Sequence, residues 1–515
     1  MNLPDAFRSL PDLIRDHAAA RPDAPALTTG DEALTYRELD ALMDRVAAAL
    51  QRDGAEPGGT LALCGAACNA YLVLFLGALR AGLAAVPLAP GSTPGQLAGM
   101  VRDCGARHLF TDGETAAALE DQTLPQALCL RRFDDDEGPT SWRHWLAPAT
   151  TTPQPVTLQP DQAFNIIYSS GTTGTPKGIV QPHAMRWGQV RRAATAGYGP
   201  DAVTLIATPL YSNTTLVVVV PSLAHGGHVV LMPKFEAEAY LSLAERHRAT
   251  HTMLVPVQYR RLMDCPAFDR HDLRSFRFKA CTSAPFSAAL KAEVLRRWPG
   301  GLTEYYGMTE GGGSCILPCH EHPDKLHTVG RPAEGHDVRL IDEDGHELPP
   351  GPDTVGEVVG RSPSMMTGYH GQPAKTREAE WFDAEGRRFI RTGDVGRFDA
   401  DGFLILMDRR KDVVISGGFN VYPSDLEAVL RQHPDVADAA VVGVPSARWG
   451  ETPVAFVVLR AGATDDALTL RDWANTRLGK TQRLADLRLC ESLPRSAIGK
   501  VLKRDLRDAY GSASA

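Results

Sequence analysis

At 515 residues the chain is longer than the roughly 250–300 at which one hydrophobic core stops growing, so two or more domains are expected. Its net charge of -8 supplies no general basic field for nucleic acid or an anionic membrane. A content of 43% hydrophobic and 23% charged residues is ordinary for a globular protein, so a folded chain rather than a disordered one is expected.

The opening "MNLPDAFRSLPDLIRDH" mixes charges into its apolar positions and lacks the apolar core of a secretory signal. The longest apolar stretches, such as "TLVVVVPSLA" at 215–224 with its Pro221, are too short to cross a bilayer, so a cytoplasmic protein is expected. Residues 34–54, "LTYRELDALMDRVAAALQRDG", carry apolar side chains at helical spacing and end in glycine, which reads as an amphipathic helix with a stop. "TLALCG", "AYLVLFLGALRAG" and "AAVPLAP" then read as strand, helix and strand, an order that argues for a parallel α/β sheet. The alternation returns over 203–306 in "VTLIATPL", "HGGHVVLM", "YLSLAERHRA", "HTMLVPV" and "FKACTSA". From about 335, "HDVRLIDEDGHELPPG" and "FIRTGDVGRFDADGFLILMDRR" show short alternating runs around "EDG" and "ADG", the pattern of antiparallel hairpins. After "RRKD" a helix, "YPSDLEAVLRQHP", and two strands, "DAAVVGVP" and "PVAFVVLR", begin a small second domain of about 100 residues.

Nine scattered cysteines, an odd number, argue against a disulfide framework. Cys315 and Cys319, followed by His320 and His322, lack a second cluster of zinc ligands and read as a polar loop.

The densest chemistry lies at 166–180, "IIYSSGTTGTPKGIV", where a strand runs into glycines and hydroxyls and ends at a lysine. Glycines let successive N–H groups point inward, hydroxyls add donors and the lysine adds charge, which together make an anion-binding nest. It is not the nucleoside-triphosphatase P-loop, which needs lysine after glycine and before serine or threonine; here Pro176 precedes Lys177 and Gly178 follows it. Read alone, the stretch could equally be a flexible surface loop.

With "YYGMTE" at 305–310, "RTGD" at 391–394, "DRRKDVVISGG" at 408–418 and "PRSAIGK" at 494–500, in this order, the chain resembles the adenylate-forming superfamily of acyl-CoA synthetases, peptide-synthetase adenylation domains and luciferases. The resemblance runs from "LTYRELD" to "GKVLKRDLR". It implies an α/β fold: a large N-terminal domain of α/β subdomains with a small β-barrel-like subdomain, over 1–410, then a small mobile α+β C-terminal domain over 411–515.

In that family a carboxylate attacks the α-phosphate of ATP, an encounter of two anions that needs positive charge and oriented donors. The resemblance implies that Ser169, Ser170, Gly171, Thr172, Thr173, Gly174 and Lys177 wrap the β- and γ-phosphates, that Thr309 meets the α-phosphate, and that Glu310 holds a magnesium ion through its hard carboxylate oxygen. Asp394 would accept from both ribose hydroxyls, with Arg409 assisting. Tyr306, Gly307 and the backbone at Ser283, Ala284 and Pro285 would frame the adenine. The family usually has glycines before that alanine and proline, so Thr282 and Ser283 depart from it.

Lys500 resembles the lysine that contacts both the carboxylate and the α-phosphate as the adenylate forms, and Lys411 stands at the hinge about which the small domain is expected to rotate. Gly417 and Gly418 would let a pantetheine arm pass, with Trp449, Lys480 and Arg483 as further coenzyme A contacts. The acid pocket is expected near Trp187, Tyr211, Ser212, Asn213, Met308, Gly311 and Gly312. "PLYSNTT" offers no aspartate for a substrate amine, which disfavours an α-amino acid, and Ser212 stands where many acyl-CoA synthetases carry histidine.

The implied activity is an AMP-forming acyl-CoA synthetase acting on a medium-chain fatty or aromatic acid, with ATP, Mg2+ and coenzyme A, no nucleic-acid partner and scope for a homodimer. The alternatives are an adenylation enzyme that loads a carrier protein and a non-catalytic nucleotide-binding relative. A luciferase is disfavoured because "GSASA" is not a peroxisomal "SKL".

Overall fold

The computed structural model describes residues 6–135, 137–169, 176–416, 419–446, 449–479, 482–496 and 499–512. The chain divides into two compact units, one of residues 1–326, 333–337 and 361–390, the other of 327–332, 338–360 and 391–515.

The first unit is α/β and holds two large sheets. In one, the strands follow the order Cys315–Pro318, Gly301–Tyr306, Phe278–Cys281, His251–Leu254, Val203–Ile206, His228–Leu231, Pro25–Thr29, Glu32–Thr35, parallel except at the two ends. In the other the order is Gly368–Tyr369, Lys177–Pro182, Ala163–Ser169, Ala84–Leu88, Thr60–Cys64, His108–Thr111, Cys129–Arg132. The expected strand–helix–strand series over 60–88 is therefore present, as Thr60–Cys64, Asn69–Arg80 and Ala84–Leu88, with its two strands paired in parallel.

Local signals set the helix starts. Thr35 and Glu38 form a reciprocal capping box at the head of helix Tyr36–Arg52, whose apolar face (Leu39, Met43, Val46, Leu50) is buried. That face belongs to the main core, together with helix Asn69–Arg80 and the apolar stretch at 215–224. The latter is a helix, Asn213–Ala224, which tolerates Pro221 inside it and is buried nearly all round.

The second unit contains the expected hairpins. Asp337–Ile341 pairs antiparallel with Glu347–Leu348, and Arg388–Phe398 with Leu404–Arg409, the latter turning through Gly402 at φ +79. Its C-terminal part has a second sheet in the order Phe419–Val421, Val414–Ser416, Gly450–Leu459, Val436–Ser446, with Asp486–Leu489 parallel to Gly450–Leu459. Helices Pro423–Leu430 and Ala467–Asn475 cover it around Leu426, Val441, Val457 and Leu470. Among the described residues no helix is long and apolar enough to cross a membrane.

Candidate active site

In the first unit the glycine and hydroxyl stretch joins two antiparallel strands. Ser169 stands opposite Lys177 at the end of the ladder between Ala163–Ser169 and Lys177–Pro182. Ser170, Gly171, Thr172, Thr173 and Gly174 lie outside the described residues.

Strand Gly368–Tyr369 pairs with Lys177–Pro182 and brings Tyr369 beside Lys177, whose ammonium lies 5.0 Å from the ring centroid. The same tyrosine donates its hydroxyl to Glu310 Oε1 at 2.9 Å. Lys177 and Glu310, 133 positions apart in sequence, thus meet on the two ends of one half-buried side chain that the sequence reading did not single out. Burial, then the neighbouring carboxylate, pushes the Tyr369 hydroxyl well above its ordinary range and keeps it a donor.

A buried polar network fixes the segment carrying Thr309 and Glu310. Gln181 donates to the Thr309 carbonyl at 2.6 Å and to Asn213 Oδ1 at 3.3 Å, while its own oxygen accepts from Asn165 at 2.9 Å and from Arg186. Arg186, fully buried, also donates to Asn165 Oδ1 at 2.9 Å and Gln189 Oε1 at 2.9 Å, and packs over the Phe164 ring. Burial pulls its pKa down to about 9, so it is charged at neutral pH.

Glu310 hands its carbonyl to Met366 N at 2.8 Å. Gly311 follows at φ +75, where a Cβ would overlap the Ser364 carbonyl and approach Met185 Cε to 2.9 Å. The glycine is thus required by the backbone itself at that point. Glu310, half-buried and held by Tyr369 through one oxygen, offers the hard oxygen donor that a divalent cation prefers.

Other residues expected here take definite places. Ser283 adopts φ +82, rare outside glycine, and its hydroxyl pairs with Thr214 Oγ1 at 2.6 Å; Thr282 Oγ1 donates to the Tyr305 carbonyl at 2.8 Å. Ala284 is half-buried and Pro285 exposed beside them. Tyr306 ends strand Gly301–Tyr306, and Gly307 follows with no room for a Cβ against Ser314 Oγ, 2.9 Å away.

Ser212 caps helix Asn213–Ala224 by accepting from Thr214 N at 3.3 Å. Tyr211 is half-buried, and Met308 packs against Ile179, Met366 and Ile390. Gly312 is buried. Trp187 lies apart from this group, buried in the main core with its ring edge-on to Phe7, 6.3 Å between centroids.

In the second unit Asp394 and Arg409 face each other across the hairpin and form an ion pair, Nε to Oδ1 at 3.0 Å. Thr392 steadies this end, its hydroxyl accepting from Asp394 N at 3.0 Å and donating to the Val358 carbonyl at 2.8 Å. Lys500 is half-buried, in a turn where its carbonyl accepts from Ser496 N at 2.8 Å. Burial, then the charge of Arg409, pulls its pKa to about 8, with Asp394 offsetting and Lys411 adding to the depression. Lys500, Asp394, Arg409 and Lys411 therefore share one electrostatic neighbourhood.

Lys411 is exposed in the turn Arg410–Asp412, whose Asp412 is clamped by Arg507 at 2.7 Å. Gly417, Gly418 and Lys480 lie outside the described residues. Exposed Ile415 and Phe419 flank the first two, and Trp449 is exposed one residue before Gly450, which pairs with Ser416. Arg483 is exposed. Cys315 and Cys319 are buried free thiols whose pKa values burial raises.

The chain belongs to the AMP-binding enzyme family, which matches residues 14–370, and residues 425–500 match the C-terminal domain of AMP-binding enzymes. This makes it a member of the adenylate-forming superfamily, in the acyl-CoA ligase branch, and an AMP-forming acid–thiol ligase. It is 34% identical to a feruloyl-CoA synthase of an Amycolatopsis species over 96% of this chain and 97% of that one. It is 32% identical to the fatty acid–[acyl-carrier-protein] ligase ScoC of Streptomyces coeruleorubidus, over 97% and 96%. Among solved structures, ATP-bound MatB from Rhodopseudomonas palustris superposes with a TM-score of 0.87 at 28% identity, covering 99% of this chain and 100% of that one. The amide bond synthetase McbA from Marinactinospora thermotolerans gives 0.84 at 30%, over 97% and 100%.

Proposed function

We propose that the chain is an acyl-CoA synthetase that activates a medium-chain fatty or aromatic carboxylic acid with ATP and passes the acyl group to coenzyme A. In the first step a carboxylate oxygen bonds to the α-phosphorus of ATP and the bond to pyrophosphate breaks, leaving acyl-AMP. In the second the thiol, giving up its proton, bonds to the acyl carbon and AMP departs.

The observation that supports this reading most is the meeting of Lys177 and Glu310 on Tyr369, which brings together a cation suited to phosphate and a carboxylate suited to a divalent metal. A magnesium ion, when bound, would neutralise phosphate charge and polarise the reacting phosphoryl oxygen. Glu310 would hold it, oriented by the Tyr369 hydroxyl. Lys177, Ser169 and the segment 170–174 would bind the leaving pyrophosphate, and Thr309 the α-phosphate.

From the second unit, Asp394 would accept the ribose hydroxyls, Arg409 would hold that carboxylate in place, and Lys500 would position the acid and offset charge as acyl-AMP forms. We place the domain boundary at the hinge residue Lys411, with 1–410 binding ATP and acid and 411–515 as the mobile part. Rotation there would exchange Lys500 for the segment around Gly417 and Gly418, where Trp449, Lys480 and Arg483 would meet coenzyme A. Carrier-protein loading is the second reading, favoured by the likeness to ScoC.

Pyrophosphate release from a panel of carboxylic acids, followed by AMP formation with free coenzyme A alone, tests both steps and separates the acceptors. Lys500→Ala should suppress acyl-AMP formation while sparing thioester formation from supplied acyl-AMP. An equal loss in the two half-reactions refutes the assignment of Lys500.

A further inference from the structure

Helix His183–Ala193 presents two different faces. Arg186, Trp187 and Val190 are buried on one side, while buried Met185, half-buried Gly188 and exposed Arg192 recur at helical spacing on another. That second side adjoins the Thr309–Gly311 segment: Met185 Cε lies 2.9 Å from where a Cβ on Gly311 would stand, and Ser364 approaches both Gly311 and Gly188 too closely to admit a Cβ on either. Arg192 Nη1 reaches within 3.5 Å of the same point above Gly188. The missing side chain at Gly188 is what lets Ser364 and the guanidinium come together.

The Arg192 guanidinium makes no hydrogen bond and has no acidic partner among the described residues, whereas those of Arg80, Arg186, Arg391 and Arg409 are each paired. It is exposed to solvent, and partial burial lowers its pKa. Around it stand further donors with nothing to donate to. His336 Nδ1 accepts from Ser314 N at 2.9 Å, which leaves the ring proton on Nε2; burial pulls its pKa to about 4, so the ring is neutral, and Nε2 is buried without a partner. Ser364 Oγ is likewise buried and unpartnered. Tyr305, within electrostatic reach of Arg192, keeps its proton because burial raises its pKa to about 12. An apolar substrate end laid over this unpaired guanidinium would strip it of water with nothing in return, at a real cost in affinity.

Building on the reading above, we propose that the acid activated by this chain carries a second anionic group, a carboxylate at the end remote from the one adenylated, and that Arg192 binds it. Arg192 is a specificity residue, remote from the reacting atoms.

The test uses paired acids of equal length, adipic with hexanoic and terephthalic with benzoic. Binding is measured by calorimetry and turnover by pyrophosphate release, for the wild type, Arg192→Ala, Arg192→Gln and Arg192→Lys. The expected result is wild-type preference for the diacids. Arg192→Ala and Arg192→Gln should lose about 10- to 100-fold in diacid affinity and kcat/KM, the range for one charge-assisted hydrogen-bonding group. The monoacids and the KM for ATP should be unchanged, and Arg192→Lys should recover part of the loss. Diacid binding that depends on Arg192 without pyrophosphate release would uphold the inference and sink the synthetase reading. Pyrophosphate release whose diacid-to-monoacid ratio is the same in all four proteins would overturn the inference and leave the synthetase reading standing, and so would equal diacid binding by all four.

Discussion

Tyr369 joins the two charged groups through different parts of its side chain, so two substitutions separate their contributions. Tyr369→Phe removes the hydroxyl that donates to Glu310 at 2.9 Å and keeps the ring 5.0 Å beneath the Lys177 ammonium. A hydrogen bond to a charged group contributes about 1.5–3 kcal/mol, and a half-buried site argues for the lower end, about 1.5 kcal/mol, or roughly a tenfold effect. Tyr369→Leu removes the ring as well, and a partly exposed cation–π contact of about 1 kcal/mol adds roughly a further fivefold. If Glu310 holds the metal, the phenylalanine variant should lose its tenfold chiefly in the magnesium dependence of acid-dependent pyrophosphate release, because an unrestrained carboxylate binds the ion less well. The additional loss in the leucine variant should appear in the KM for ATP, because it frees Lys177. Equal magnesium titration curves for wild type and Tyr369→Phe, with ATP and acid saturating, would refute the reasoning.

Lys500 gives a pH prediction. Its pKa is depressed from 10.5 to about 8, and the protonated form is the one that offsets phosphate charge, so acyl-AMP formation should fall as pH rises through about 8. Lys500→Arg should flatten that limb. The unfolded chain binds this proton more tightly than the folded one, so stability should rise with pH between about 8 and 10.5, and Lys500→Met should lose that slope in urea melts at several pH values. Gln181→Glu keeps an acceptor for buried Arg186 but sets a carboxylate against the Thr309 carbonyl now held at 2.6 Å. The variant should melt near the wild-type urea midpoint and lose at least about tenfold in pyrophosphate release, the scale of one catalytic hydrogen bond turned repulsive. Gly311→Ala pays about 1–2 kcal/mol for its left-handed backbone and displaces the loop carrying Ser364. Both the urea midpoint and acyl-AMP formation should drop.

What could be read in the sequence and what could not divide along a physical line. Lys177, Thr309, Glu310, Asp394 and Lys500 each sit in a short run whose glycines, hydroxyls or charges have few other uses, so contiguous sequence carries their signal. The strand–helix alternation over 60–88 and the two glycine-turned hairpins were legible for a similar reason, because periodicity and turn chemistry are local. The residues that hold those groups were not. Tyr369 reaches Glu310 from 59 positions away, in a two-residue strand too short to show a period. Arg186 and Arg192 look alike in "HAMRWGQVRR", yet six positions of helix turn one into a buried network and leave the other exposed.

Trp187 was expected near the acid pocket. The helix phase points it at Phe7, and the side that approaches Gly311 belongs to Met185, Gly188 and Arg192. Ser212 likewise stands where a substrate contact was expected and serves as an N-cap, a use that any serine before a helix can have. One turn of helix is about 3.6 residues, so a shift of a single position moves a side chain by some 100° around the axis. Substrate specificity written on such a helix is therefore invisible to a motif and becomes readable only once the neighbours of each face are known. On the proposed reading, Gly188, which admits Ser364, and Arg192, which supplies the charge, are the positions where a variant should change its acid.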